Sequence, residues 1–342
     1  MEKLKVLFTA EAADDMLFEL ESFCDVEYAG WKVCKEIFEE EELINRLQGK
    51  EVFVTSYDRV TGNVIQKCPD LKMIICTRSN PVNIDQKAAE EQGVLVSYTP
   101  GRNSDATAEF AVGILLSLIR NITVANKAIL DGSAITDEKP VVAKSDVTWG
   151  KVKKCHPYKQ FQGPQIHGKT AGIAGYGSIG RRVAAILKGF GANLLIYDPY
   201  FSKVDVDGPG IELVSFDELL EKSDFVFSHM KVTEETRGMF NKEAFDKMKR
   251  TAYFVNNSRG AVTIERDLID ALREHKIAGA ALDVFEYEPL YKGHPFVTGE
   301  LDNVLVTPHI SGACPDAIKN GTVILVEALK KYAEGKRPLY LK

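Results

Sequence analysis

Thr170-Ala171-Gly172-Ile173-Ala174-Gly175-Tyr176-Gly177-Ser178-Ile179-Gly180 is a short apolar run that ends in Gly-x-Gly-x-x-Gly and opens a helix-compatible stretch, residues 179–190. That context gives the motif its meaning, because the same glycines without a strand before and a helix after carry little information. Gly175 permits the tight turn, Gly177 lets the backbone approach a pyrophosphate, and Gly180 lets the helix pack close to the sheet. A helix N-terminus placed there offers free N–H groups and a partial positive charge to an anion. Asp198 ends the next apolar run, 18 residues past Gly180. A carboxylate at that point accepts from the adenosine ribose hydroxyls and repels a 2′-phosphate, which predicts NAD rather than NADP.

The alternation that starts at this loop continues. Residues 170–174, 192–197, 225–229, 252–256, 280–284 and 304–307 read as six strands, with helices at 179–190, 216–221, 242–248 and 266–275. Six strands match a complete dinucleotide-binding sheet. Upstream, strands at 5–10, 26–29, 52–56, 73–77 and 94–98 alternate with helices at 36–47 and 82–92, so the first hundred residues predict a second parallel sheet, without a glycine loop. One long helix is expected from about Ala106 to Leu130, N-capped by Asp105. Its broad apolar surface predicts burial against several neighbours, a second subunit among them. Residues 131–165 mix prolines, glycines and charges and read as an extended loop or arm. Residues 316–332 read as a final amphipathic helix.

Composition sets outer bounds. The 342 residues imply about two domains. A net charge of −6 argues against a nucleic-acid partner, because phosphate binding draws on a basic excess. No uninterrupted apolar stretch reaches the length of a membrane span, and residues 110–119 fall well short. The first residues show no leader pattern, and six scattered cysteines include no Cys-x-x-Cys pair. A cytoplasmic protein with reduced thiols is the expectation. Cys155 and His156 make only two adjacent ligands, too few for zinc, so no metal is expected. The run 151–154 reads as solvated charge.

Three further spots follow strands of the glycine-loop sheet. Parallel sheets bind ligands at the carboxyl ends of their strands, so these spots converge on one crevice. Arg259, in Asn256-Asn257-Ser258-Arg259-Gly260, can grip a carboxylate with its fixed fork of donors, or simply cap or pair at the surface. Asp283 closes an apolar strand and is placed to accept from a carboxamide; Glu286 and Glu288 follow it, and the residues alone do not choose between them. His309, in Thr307-Pro308-His309, is a natural acid/base, and a carboxylate on its second ring nitrogen fixes the tautomer and stabilises the imidazolium. A hydride donor, a proton donor and a carboxylate anchor are what reduction of a 2-oxo acid requires.

With these motifs in order, the chain resembles the D-isomer-specific 2-hydroxyacid dehydrogenases from about Val52 to Leu341. Pro100-Gly101-Arg102-Asn103, Ala108-Glu109, Thr233-x-x-Thr236-Arg237-Gly238, Asn257-Ser258-Arg259-Gly260, Leu282-Asp283-Val284-Phe285, Glu288-Pro289 and Pro308-His309 carry the resemblance with the glycine loop. It implies an α/β fold of two doubly wound parallel-sheet domains. A Rossmann NAD-binding domain, 104–312, would be inserted into a flavodoxin-like substrate domain, 1–103 plus 313–342. It implies Arg259, Glu288 and His309 as catalytic residues, choosing Glu288 because the family acid directly precedes the proline. Cofactor contacts fall on Gly175, Gly177, Ser178, Ile179, Gly180, Asp198, Asn257, Ser258, Arg259, Asp283, His309 and Gly312. It also implies a homodimer through the helix starting near Ala106.

Within that resemblance the chain looks nearest to phosphoglycerate-dehydrogenase-like members, with the C-terminal regulatory domain of the longer ones expected to be absent. Two departures bear on substrate. The family's Gly-rich substrate loop is replaced by Cys76-Thr77-Arg78-Ser79-Asn80-Pro81, where Arg78 and Ser79 add side-chain donors that suggest a larger or more anionic acid; Arg78 and Arg102 read either as binders of a phosphate or second carboxylate or as surface residues. The loop carrying phosphate-binding arginines in some members reads Thr55-Ser56-Tyr57-Asp58-Arg59, a poor match. Lys231 replaces a proline common in the family. A formate dehydrogenase is disfavoured by Glu288, which stands where that relative has glutamine. A cofactor-sensing, corepressor-like binding protein is the reading from another class.

Overall fold

The computed structural model describes residues 3–135, 157–202 and 210–342. They form two compact units, Met1–Ala106 with Gly312–Lys342, and Thr107–Ser311.

The first unit holds five parallel strands: β1 (Leu4–Phe8), β2 (Cys24–Tyr28), β3 (Val52–Thr55), β4 (Met73–Cys76) and β5 (Leu95–Tyr98), in the order β2-β1-β3-β4-β5. This is the flavodoxin-like order, whose direction reverses between β1 and β3. Residues of β3 and β4 are buried throughout, as expected where both faces of a parallel sheet are covered. Alternation sorts the two faces. Val6, Phe8, Val52, Val54, Met73 and Ile75 meet Leu325, Ala328 and Leu329 of the helix Pro315–Ala333. Leu7, Phe53 and Ile74 meet Leu43, Leu47, Val64, Ile65 and Ala89 on the opposite side. The C-terminus returns to β5, with the N–H of Lys342 donating to Val96 O at 3.0 Å.

The second unit holds β6 (Thr170–Ala174), β7 (Asn193–Tyr197), β8 (Ile211–Leu213), β9 (Phe225–Ser228), β10 (Tyr253–Asn256), β11 (Gly279–Leu282) and β12 (Val304–Val306). All pairings are parallel, in the order β12-β11-β10-β9-β6-β7-β8. The reversal lies between β6 and β9. This is the Rossmann order with one strand added beyond the sixth. The seventh strand corrects the expected six. The missed strand is β8, three residues long and only partly buried, too short for a period to show.

The long helix expected over 106–130 is two helices, Ser104–Ile119 and Ile122–Leu130, bent by 60°. Asn121 breaks it, adopting the left-handed region at φ 53°. Its Nδ2 donates to Phe161 O and Gln162 O at 3.3 and 3.4 Å. Asp105 lies inside the first turn rather than capping it. The helix expected over 36–47 starts only at Glu40, and Trp31–Cys34 forms a separate short helix. The helix expected over 82–92 is Gln86–Glu91, because Asp85 caps it by accepting from Ala88 N at 3.0 Å. In the segment read as an arm, Pro157–Gln160 is helical, whereas 136–156, including Cys155, His156 and 151–154, lies outside the described residues. Among the described residues no single helix is long and apolar enough to cross a membrane.

Gly163 fastens the bend. A Cβ there would sit 1.7 Å from the Ile119 carbonyl oxygen. Gly163→Ala is therefore expected to lower stability by about 1–3 kcal/mol, read as a drop in thermal midpoint. An unchanged midpoint would show that this contact does not hold the bend.

Candidate active site

The three glycines of the loop do different work. Gly175 has φ 96°, and a Cβ on it would lie 2.7 Å from the His229 carbonyl, so the turn closes against the end of β9. At Gly180 a Cβ would meet Gly175 O at 2.0 Å, which presses the helix Ser178–Gly189 onto its own loop. Gly177 alone faces open space, with nothing within 4 Å of a Cβ. It is also the N-cap of that helix, with no side chain capping it. An open approach to an uncapped helix N-terminus fits a dinucleotide's diphosphate. Asp198 stands beside it. Its Oδ2 accepts from Tyr176 N at 2.8 Å and its Oδ1 from Tyr200 N at 3.0 Å, so the carboxylate ties the loop to the end of β7. Lone pairs remain on both oxygens for a ribose diol.

The loops after β10, β11 and β12 are locked to one another. Asn256 Nδ2 donates to Arg259 O at 3.0 Å, and Asn256 Oδ1 accepts from Ser258 N at 3.0 Å, which fixes the turn carrying Arg259. Arg259 itself is exposed, and Nη1 donates to Ser258 O at 2.6 Å. At Gly260 a Cβ would strike Phe285 O at 1.8 Å, so only glycine lets this turn reach the backbone that leads to Glu288. Asp283 is fully buried. Its Oδ1 accepts from Thr307 Oγ1 at 2.6 Å and Ile310 N at 2.9 Å, and its Oδ2 from Ser311 N at 2.8 Å. Those bonds grip the residues either side of His309, whose backbone is held at φ 55°. A left-handed non-glycine residue persists only where its surroundings over-determine it. Glu288 Oε1 accepts from Phe285 N at 3.0 Å, and its Oε2 lies 2.7 Å from His309 Nδ1. A cavity of about 520 Å³ opens between Phe285, Glu288, Leu290, Val306, Thr307 and His309.

Several contributors were not read from the sequence. Asn256 acts on loop geometry, and so does Asp283 beyond the cofactor contact read for it, a role only a three-dimensional contact reveals. Glu265 is another. Its Oε2 accepts from Glu286 N at 3.1 Å, while its Oε1 faces His294 Nε2 at 3.0 Å. His294 Nδ1 in turn accepts from Phe296 N at 3.3 Å, so Nε2 is the protonated nitrogen and donates to Glu265. This nearly buried pair steadies the Glu286–Pro289 turn. His229 is the last. Both its ring nitrogens are buried without a partner, although part of the residue reaches the surface. Asn257 Nδ2 donates to Thr107 O at 3.0 Å, leaving Asn257 Oδ1 and Thr107 Oγ1 also unpartnered.

Placed on this frame, Gly175, Gly177, Ser178, Ile179, Gly180, Asp198, Asn257, Ser258, Arg259, Asp283, Glu288 and His309 all lie in the second unit, at the carboxyl ends of its strands or just beyond. Arg78, Ser79, Arg102 and Gly312 belong to the first unit. There a Cβ on Gly312 would meet Asn103 Nδ2 at 2.5 Å, and Ser79 Oγ donates to Asn103 Oδ1 at 3.2 Å.

Residues 112–311 match the model of the D-isomer specific 2-hydroxyacid dehydrogenase, NAD binding domain. The chain belongs to the D-isomer-specific 2-hydroxyacid dehydrogenase family. It is 35% identical over 344 residues to a glyoxylate reductase of Thermofilum pendens, covering 99% of this chain and 94% of that one. It is also 35% identical to a D-3-phosphoglycerate dehydrogenase of Methanocaldococcus jannaschii, covering 97% of this chain and 58% of that longer one. Among solved structures, the apo D-lactate dehydrogenase of Escherichia coli superposes with a TM-score of 0.75 at 27% identity, covering 99% of both chains. As a member of this dehydrogenase family the chain is an NAD-dependent oxidoreductase that interconverts a 2-hydroxy acid and its 2-oxo acid. The glycine loop and Asp198 fit that cofactor.

Burial pushes the His229 ring down from 6.5 to about 3. The unfolded chain takes up this proton near pH 6.5 and the folded chain resists it until about pH 3. Its contribution is therefore complete above pH 6.5 and is lost as pH falls through the window below it. His229→Phe should flatten the decline of the denaturation midpoint between pH 6.5 and 4 relative to wild type. Identical slopes would show that the ring is protonated without cost.

Proposed function

We propose that Arg259, Glu288 and His309 are the residues that carry the family's chemistry in this chain, with the Glu288–His309 contact of 2.7 Å as the observation that supports it most. Bound NADH supplies the hydride. Arg259 anchors the carboxylate of the 2-oxo acid with the donors not spent on Ser258. His309 holds a proton on Nδ1 for Glu288, so Nε2 is the nitrogen that gives its proton to the carbonyl oxygen. The carboxylate of Glu288 stabilises the imidazolium beforehand, and the buried Asp283 keeps its loop in place. In the oxidising direction His309 Nε2 takes the hydroxyl proton instead. The alcohol carbon is read as the D isomer, after the family.

On this reading Thr107–Ser311 is the NAD-binding domain and the first unit is the substrate domain. Gly175, Gly177, Ser178, Ile179 and Gly180 would hold the diphosphate, and Asp198 the ribose. The nicotinamide side is served by Asn257, Ser258, Asp283, His309 and Gly312. The unpartnered Asn257 Oδ1 supports that assignment, since a bound group would satisfy it. We further propose a cytoplasmic homodimer. Ile122, Val124, Ile129 and Leu130 expose 48–78% of their surface on the second half of the bent helix, an apolar face suited to a second copy. The relatives named glyoxylate reductase and D-3-phosphoglycerate dehydrogenase support a small 2-oxo acid with a neutral or charged tail as the substrate.

Consumption of NADH across a panel of 2-oxo acids tests this directly. His309→Gln should lower kcat by about 10²–10⁴-fold while leaving NADH binding intact. Arg259→Ala should raise KM and lower kcat together. A loss of less than threefold in His309→Gln would remove it from the mechanism. NADH binding without turnover on any acid would favour a cofactor sensor. Asp198 makes a second claim: kcat/KM with NADPH should fall about tenfold or more below that with NADH, and Asp198→Ala should narrow the gap. Equal use of both cofactors by the wild type would contradict it.

A further inference from the structure

The first unit carries a cluster that the chemistry above does not use. Its sheet reverses direction between β1 and β3, the point where open parallel sheets receive ligands. Glu11 follows β1, Tyr57 follows β3, Arg78 follows β4 and Arg102 follows β5. The carrying loops are fastened together. Thr99 N donates to Arg78 O at 3.2 Å, and Ser79 Oγ reaches Asn103 across the same gap. Glu11 N donates to Ser56 Oγ at 2.8 Å, and Ser56 Oγ lies 2.5 Å from Thr77 Oγ1. The Trp31 and Tyr57 rings pack at 4.6 Å, with the Arg78 guanidinium 5.8 Å from the Tyr57 ring.

The charges there are not balanced. Neither Arg78 nor Arg102 has an ion-pair partner among the described residues, while Lys32 is paired with Asp14. Glu11 is the nearby acid, and it accepts from Tyr57 Oη at 3.3 Å. Arg102 is half-buried. Its Nη1 makes one long bond, to Ala317 O at 3.4 Å, and its Nε is buried with no acceptor. Trp31 Nε1 and Thr99 Oγ1 are orphaned at the same sheet edge. Burial holds the Arg102 guanidinium below its usual range, with Tyr57 and Glu11 opposing this and Arg78 adding to it. The chain also makes room for this side chain. Gly321 sits inside a long helix, where alanine would be better by about 1 kcal/mol, yet a Cβ there would press on Arg102 Cδ at 3.0 Å.

We propose that this edge of the five-stranded sheet is an anion site, built on Arg78 and Arg102 beside the Trp31–Tyr57 pair, and that it takes a second charged group, phosphate or carboxylate, at the tail of the hydroxy acid. The substrate part of this inference rests on the dehydrogenase reading; the anion site itself does not. An uncharged tail would leave two half-buried arginines without an ion-pair partner, and an anion placed between them would answer both charges.

Two readouts on the full chain separate the claims. Trp31 is one of two tryptophans, so in a Trp149→Phe background its fluorescence reports binding of inorganic phosphate or malonate. Saturable quenching is expected, with Kd raised tenfold or more in Arg102→Gln and in Arg78→Gln. The second readout is the ratio of kcat/KM for 2-oxo acids with phosphorylated or carboxylated tails to that for pyruvate. The ratio should exceed ten in the wild type and fall at least tenfold in each variant. Whichever anion binds more tightly identifies the tail. Circular dichroism melts confirm that the variants are folded, and Arg78→Gln decides the matter if Arg102→Gln is not. Unaltered phosphate and malonate binding in folded variants, or a wild-type ratio near one, overturns the proposal. Saturable, arginine-dependent binding without turnover of any acid upholds the anion site and fails the dehydrogenase reading alone.

Discussion

The carboxylate of Asp283 is the contact on which the active-site edge depends. It is fully buried with no cationic partner among the described residues, yet both oxygens are answered by donors from the loop that follows β12. A buried carboxylate can be tolerated when its lone pairs are filled, and here the filling does geometric work. The N–H groups of Ile310 and Ser311 must point back toward β11, which leaves His309 to turn through a left-handed backbone. That turn presents the imidazole to Glu288. Glu288 is restrained from its own side by the N–H of Phe285, and the loop bearing it is steadied by Glu265.

Clearance is the second constraint. Three loops can interlock at one sheet edge only if their backbones approach more closely than side chains allow. Gly260 against Phe285, Gly175 against His229 and Gly180 against Gly175 are the places where this happens. Gly177 differs from all three, because its missing side chain faces open space. Two of the loop's glycines thus serve the fold, and the third leaves room for a ligand. The division follows from the parallel sheet. Every strand ends at the same edge, so polar residues just past the strands are gathered without any special device.

Much of this was legible in the sequence for that reason. Gly175–Gly180, Asp198, Arg259 and His309 stand immediately after apolar runs, and a parallel sheet turns that linear position into a shared location. Choosing Glu288 over Glu286 needed the family resemblance, and the 2.7 Å contact to His309 is consistent with that choice. The unread parts depend on contacts between distant residues. β8 is three residues at a sheet edge, with no period of its own. The break at Asn121 lies in a sequence with good helix propensity on either side, and it is set by carbonyls some forty residues away. Asp283 reads as a ligand contact, and nothing local shows that three protein donors also converge on it. Glu265, His294 and His229 have no sequence signal beyond their residue type.

The central claim is that Glu288 holds a proton on His309 Nδ1 and leaves Nε2 as the atom that exchanges a proton with the substrate. Nitrogen-15 spectra of histidine-labelled protein, with the His309 signals assigned by loss in His309→Gln, measure this tautomer directly. The neutral ring should show a protonated Nδ1 and an unprotonated Nε2. A neutral ring protonated on Nε2 would contradict the account, because Glu288 would then face a bare nitrogen and His309 would have no lone pair to offer the substrate.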